Sequence, residues 1–331
     1  MNHPSVRPFT QPLQPPANRQ VHRVPRRVKA GGYALLAVVL FSLTVPLTKV
    51  ALSHFNPDFI AASRAFFAGS AALMVIRLKR WRLPTRNEAF WLAAAGSGVA
   101  IGFPQLLNWG LTTISAAEMA VVLAGLPLST ALFATLLLKE KHAKSFWFFS
   151  LLGASILLGY FYEGLTQAQW RASTLAVLLA AVLFAGLGYS AGSKAAKTLG
   201  GWQTICWALV LYLPISVGLF SYSLSIELND TQKWSNILAA EHLPGLGMAL
   251  LALAYLIFIS QWWGFKFWYQ AMADYGAGKI AQIQLMQPFF TFAFAALLLG
   301  EGLTLKHLLF AVLIGASVLA TLKVKAVGVR E

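Results

Sequence analysis

Ten apolar runs of about 20 residues dominate the chain, each long enough to cross a bilayer core of about 30 Å as a helix. Inside lipid the backbone has no water to bond, and a helix satisfies its polar groups internally. The runs are roughly Gly32–Leu52, Pro57–Ile76, Ala89–Leu111, Ala116–Leu138, Ser145–Tyr162, Thr174–Ser193, Trp202–Tyr222, Leu246–Trp268, Ala277–Leu299 and Leu305–Leu322. Of 331 residues, 58% are hydrophobic and 11% are Asp, Glu, Lys or Arg. An ordinary soluble domain carries about 25% charged residues, and a soluble core of this size cannot hide so much apolar surface. The expected fold class is all-α integral membrane, with ten transmembrane helices.

Residues 1–30 read differently. They hold Pro4, Pro8, Pro12, Pro15, Pro16 and Pro25 with few long aliphatic side chains, too little apolar surface to offset the entropy of ordering. A disordered, basic tail is expected there. The run that follows is too long for a secretory signal and lacks a small-residue cleavage pattern, so it is expected to stay in the mature protein. Placing the tail in the cytoplasm puts 21 Lys and Arg on the cytoplasmic side, four on the other side (Lys49, Arg171, Lys233, Lys306), and Arg64 inside a span. This asymmetry orients the chain with both termini cytoplasmic, as expected for a multi-pass protein of a bacterial-type inner membrane. The net charge of +15 is thus mostly a topology signal. No soluble basic face interleaved with aromatics offers itself to nucleic acid.

An internal repeat divides the chain. The fourteen residues from Pro127 to Glu140 match those from Pro288 to Glu301 at eight positions, with an offset of 161. Leucine matches between apolar spans arise by chance, whereas a proline and a glutamate kept at one separation are harder to obtain that way. One copy ends the fourth span and the other the ninth, so each unit holds five spans: residues 31–165 and 170–325. An odd number of crossings turns the second unit upside down relative to the first. Two inverted five-helix repeats are typical of secondary transporters, with a substrate site near the midplane between them. Duplication also builds channels and some membrane enzymes.

These features resemble the drug/metabolite transporter superfamily, specifically its EamA-type ten-helix permeases. Each half of that family closes with a proline-bearing span running into a glutamate, as Pro127 to Glu140 and Pro288 to Glu301 do. Ser115-Ala116 and Gly276-Ala277 resemble the small-residue entry of the motif, and Arg64, after Asn56-Pro57-Asp58, resembles the arginine of the second span. The likeness covers about residues 32–325. It departs in the first span, where Phe41-Ser42-Leu43 stands in place of the Trp-Gly-Ser often found there. The resemblance implies a permease, and export from the cytoplasm.

Polar groups inside the spans are the candidate site. A charge at the bilayer centre costs about 2.5–3.5 kcal/mol on the insertion scale. Arg64 lies seven residues past Pro57, about 10 Å deep. It keeps its charge and suits a carboxylate or phosphate. Two readings stand: Arg64 anchors an anionic group of the substrate, or it forms an ion network with Glu118. Lys49 and Glu118, near the outer ends of their spans, are expected at similar depth. Gln284 and Gln287 share a face of the ninth span beside Gln282, and Pro288 frees a carbonyl one turn earlier. Pro127 should do likewise in the fourth span. Gln105 and Asn108 follow Pro104 in the third. For all these amides, bonds between helices are the alternative to solute binding. Gln261 and Trp262 begin an aromatic cluster, Trp262-Trp263-Gly264-Phe265 with Trp268-Tyr269, read mainly as an interfacial belt but able to line a cavity. Tyr189 completes the substrate-binding candidates. Gly98 and Gly102 read as close packing. Glu140 and Glu301 are expected to bind helix ends or gate the cavity rather than touch substrate.

All six His lie in tails or at span ends, and Cys206 is the single cysteine. No intramembrane metal site, His proton relay or disulfide framework is expected. No Asp or Glu falls near mid-span. The stretch Gly186–Gly192 resembles a nucleotide loop only superficially, because it lies inside a span. No cofactor is expected. The reading is a secondary transporter moving small polar or amphipathic metabolites, with amino acids or their derivatives as the leading class. Alternatives are an uptake permease or passive channel of the same fold, or a membrane-embedded transferase, for which no acid, base or metal constellation is visible. Expected partners are the bilayer and a small-molecule metabolite, with a homodimer as one assembly it could adopt.

Overall fold

The structure is a computed structural model, and it describes residues 26–141, 143–166, 171–230, 234, 243–302 and 304–323. Every regular element among them is helical. In chain order these are α1 (Arg26–Ser42), α2 (Thr44–Leu52), α3 (Pro57–Lys79), α4 (Arg86–Gly96), α5 (Phe103–Leu111), α6 (Ala116–Leu123), α7 (Leu126–Leu138), α8 (Lys144–Thr166), α9 (Ala172–Leu211) and α10 (Leu213–Asn229). They are followed by α11 (Leu243–Ala254), α12 (Phe265–Tyr275), α13 (Ala277–Ala281), α14 (Gln287–Leu299) and α15 (Leu305–Lys323). Short π segments join α4 to α5 and α11 to α12, and a 3-10 turn joins α13 to α14. Seven helical stretches among the described residues are long and apolar enough to cross a membrane: Val28–Leu52, Pro57–Lys79, Arg86–Leu111, Ala116–Leu138, Ala172–Leu211, Leu243–Tyr275 and Ala277–Leu299. The chain is an all-α membrane protein.

Several boundaries differ from expectation: the seventh run extends to Asn229 and the eighth to Tyr275, and two further differences have a visible cause. The first helix starts at Arg26, inside the stretch read as tail, because no proline follows Pro25 until Pro46 to stop it. The rest of that tail lies outside the described residues. The sixth run and the first half of the seventh are joined in one 40-residue element, Ala172–Leu211, and the rest of the seventh continues in α10. The corner of the long element is Gly200, whose φ of +75° suits a residue without a Cβ. Gln270 Oε1 accepts the Gly201 amide at 3.0 Å and so satisfies a donor beside the corner.

Prolines interrupt the spans in a regular way. Pro104, Pro127, Pro214 and Pro288 each stand in the first turn of a helical segment, where a missing N–H costs little. Pro46 cannot donate to the Ser42 carbonyl four residues back. That carbonyl instead accepts Thr291 Oγ1 at 3.1 Å, which ties α1 to α14. The π segments fall at Ser97–Gly102 and Tyr255–Gly264, and the repeat offset of 161 maps the first inside the second.

Small residues bring the helices close. A Cβ on Gly188 would meet Val99 Cγ1 at 2.7 Å, so α9 packs against the π segment of the third span through Gly98 and Gly188. The Gly186–Gly192 stretch is thus a packing surface, with Gly186 on Ser129 and Gly192 on Tyr269. The aromatic cluster corrects the belt reading. Trp268 and Tyr269 are both 0% exposed, because Trp268 sits between Phe41 and Tyr189, edge-on to each. Trp263 is the member of the cluster that stays exposed, with Lys266 Nζ 4.3 Å from its ring centroid.

Candidate functional site

A small cavity lies where the middles of several spans meet. Its walls are Phe41, Thr44 and Val45 from the first span, Arg64 from α3, Phe103 and Leu107 from α5, and Leu123 from α6. Tyr189 of α9, Ser260 of the second π segment, Phe265 of α12 and Gln287 of α14 complete it. The free space is about 10 Å³, room for about one water.

Arg64 is the charged member, 1% exposed. Its Nη2 donates to Gln261 Oε1 at 3.0 Å and to Ser260 Oγ at 3.3 Å. Neither Nε nor Nη1 has a hydrogen-bond partner. Tyr189 shares the cavity wall with it. Gln261 holds the guanidinium from behind: it gives its Oε1 to Arg64 and donates Nε2 to the Val99 carbonyl at 2.7 Å. One π segment therefore supplies the amide and the other the carbonyl that orients it. Such segments misalign the helical ladder and often mark functional positions. Ser260 is held in turn by Thr44, oxygen to oxygen at 2.8 Å.

The ninth-span amides face the same region. Gln284 Nε2 donates to Gln287 Oε1 at 3.0 Å and reaches the Tyr189 hydroxyl at 3.5 Å, while Gln284 Oε1 is buried without a partner. Gln282 instead bonds within its own helix, to the Gly278 carbonyl.

Other candidates are placed elsewhere. Gln105 donates to Asp58, and Asn108 donates to the Pro57 carbonyl at 3.0 Å, so this pair fastens α5 to the start of α3. Trp262 donates to Cys206 Sγ at 3.2 Å and stacks on Trp202 with centroids 4.9 Å apart; it braces α9 rather than lining the cavity. Arg64 and Glu118 do not form the expected ion network. Glu118 closes a capping box with Ser115 at the start of α6, and its charge bears on Lys49 and His307. Lys49 also feels Glu301. The polar residues that sequence reasoning missed are Ser42, Thr44 and Ser260. Their signal was visible as hydroxyls at mid-span, in Ser42-Leu-Thr44 and Ser260-Gln261.

The glutamates that close the repeat motif bind helix ends. Glu301 accepts the amides of Ala116 and Ala117, each at 3.0 Å. Glu140 accepts those of Ala277 and Gly278, each at 3.2 Å. The start of each proline-bearing span thus meets the end of the other, which makes the two spans antiparallel and sets the two carboxylates at opposite ends of the pair. A carboxylate there satisfies orphan amides and complements the helix dipole. Among the described residues no group of His, Cys, Asp and Glu is arranged to hold a metal ion.

Comparison with known proteins decides the family. The EamA-like transporter family matches the chain twice, at residues 29–162 and 172–323. The chain belongs to the EamA-like transporter family. This EamA-like chain is 36% identical over 268 residues to a protein of Bacillus subtilis (strain 168) described as the uncharacterized transporter YdeK, covering 80% of this chain and 87% of that one. A solved crystal structure of a protein superposes with a TM-score of 0.60 at 15% identity, over 88% of this chain and 97% of the other. That likeness speaks for the fold alone. The EamA-like chain is a membrane transporter, not an enzyme.

Proposed function

We propose that this transporter is a secondary carrier of small polar or amphipathic metabolites, working by alternating access between two inverted five-helix halves. Ten spans result if α9 is divided at Gly200 and α8 and α15 are counted with the rest. Both termini then lie in the cytoplasm. The observation that carries the reading is the Arg64 cavity, whose walls come from both family matches: Thr44, Arg64, Leu107 and Leu123 from the first, Tyr189, Ser260 and Gln287 from the second.

A site between two halves is exposed to one side or the other when the halves rock. The cavity is shut to about one water in this conformation, so a solute enters only when the walls part. Reciprocal glutamate contacts at the two ends of the antiparallel spans support the inverted arrangement and give each side a closure of its own. Amino acids and their derivatives are the leading substrate class, moved out of the cytoplasm.

The experiment is counterflow in proteoliposomes. Vesicles loaded with an unlabelled solute should transiently accumulate the labelled one, with saturation. Accumulation that follows the gradient linearly would mean an open pore, and chemical conversion of the solute would mean an enzyme. Opposite faces of oriented vesicles, compared for apparent affinity, would show whether export is the favoured direction.

A further inference from the structure

We propose that the Arg64 cavity selects anions: the transported solute presents a carboxylate or other oxyanion to this guanidinium, on a small apolar body, and carries no compensating positive charge. This rests on the carrier reading above and narrows its substrate class: free amino acids are set aside, and their acidic, amine-masked derivatives are kept.

Arg64 stays charged at any pH the protein meets. It is enclosed by the bundle, yet among the described residues no carboxylate stands against it; its hydrogen-bond partners are the neutral Ser260 and Gln261. The acidic groups nearest along these helices are committed elsewhere: Asp58 to Gln105 and Trp109, Glu118 to Ser115, and Glu301 to Ala116 and Ala117. Two of the three guanidinium nitrogens, Nε and Nη1, remain buried and without acceptors. A buried donor left unmade is expensive, and a charged one more so. The missing acceptor is an anion.

The walls also say what the anion is attached to. Phe41, Val45, Phe103, Leu107 and Phe265 are apolar, and the polar remainder is neutral hydroxyl and amide. No cavity side chain bears a negative charge, so an ammonium group entering beside Arg64 would meet one uncompensated cation with another. Cationic drugs and free zwitterionic amino acids are disfavoured. Organic acids, and amino-acid derivatives whose amine is masked, fit.

The test works on a mixture, so no single substrate has to be chosen in advance. Proteoliposomes and protein-free vesicles are incubated with a deproteinised metabolite extract of bacterial cells, and the solutes retained are identified by mass spectrometry. The wild-type protein should enrich solutes of net negative charge. Arg64→Gln should lower their retention at least about tenfold, the loss expected for a hydrogen bond to a charged group, and Arg64→Lys should lower it less. Ser260→Asp covers the case in which Arg64→Gln fails to fold. It places a carboxylate where a hydroxyl already accepts from Arg64, so it should raise the melting temperature and abolish anion retention together.

Enrichment of neutral, zwitterionic or cationic solutes by the wild type would overturn the proposal and leave the carrier reading standing. So would undiminished anion retention in Ser260→Asp. No enrichment over protein-free vesicles would count against the carrier reading itself and remove this inference with it.

Discussion

The carboxylate of Glu140 lies 3.2 Å from the amide nitrogen of Ala277. Its counterpart 161 residues on, Glu301, stands 3.0 Å from the amide nitrogen of Ala116, at the other end of the same pair of spans. Each half of the family motif therefore caps the other half's helix, and neither cap is complete within its own half. Replacing either glutamate by alanine should cost about 1–2 kcal/mol, the range for losing a helix cap and its favourable dipole. Gln should cost less than Ala, since its oxygen still accepts. The amides that the two glutamates hold are different ones, so the double variant should lose roughly the sum. Thermal unfolding in detergent measures this; a double variant no worse than either single one would mean the caps are not independent.

The bond from Thr291 to the Ser42 carbonyl exists because Pro46 cannot supply a donor there. Thr291→Val should cost about 1 kcal/mol in the native background. In a Pro46→Ala background the regained N–H takes the carbonyl, and the same Thr291 change should cost measurably less. A double-mutant cycle of unfolding free energies reads the difference.

Close packing at Gly188 leaves no room for a side chain. Gly188→Val should destabilise by about 1–3 kcal/mol, as overpacking does. Gly218 has nothing within 4 Å of its Cβ direction, so Gly218→Ala should be neutral or stabilising by up to about 1 kcal/mol through helix propensity. Melting temperatures of the two variants should move apart.

The Arg82–Glu88 pair is short, at 2.7 Å, but Arg82 is 55% exposed. Arg82→Ala should change stability by less than about 1 kcal/mol, since solvent and salt screen such pairs. Glu88 also serves the Thr85 capping box, so Glu88→Ala should cost more than Arg82→Ala in the same unfolding assay.

Much of this was legible in the chain. Span length alone announced a membrane protein, and the Pro127 and Pro288 motif marked the family and the role of Glu140 and Glu301 at helix ends. Arg64, Gln261, Gln284 and Gln287 were visible as polar groups in apolar runs; the structure sets Gln261 against Arg64 and bonds Gln284 to Gln287 and Tyr189, with Arg64, Tyr189 and Gln287 lining one cavity. Gln105 and Asn108 looked equivalent to them, yet their spacing could not say which neighbour each face would meet; they meet the start of α3. Arg64 and Glu118 were paired by depth alone, which ignores where each side chain points around its helix. Trp268 and Tyr269 were assigned to the membrane surface by position, whereas Phe41 and Tyr189 enclose Trp268. A position along a helix gives depth, but packing decides which side faces inward.

Alternating exposure of the Arg64 cavity is the central claim, and Thr44→Cys in a Cys206→Ser background tests it most directly. Cys206 is buried and is the sole native cysteine, so the new thiol reports alone. In oriented membranes an impermeant maleimide added from either side, in separate reactions, should label residue 44, and a transported solute should slow both reactions. Labelling from one side only, whatever solutes are present, would contradict the account.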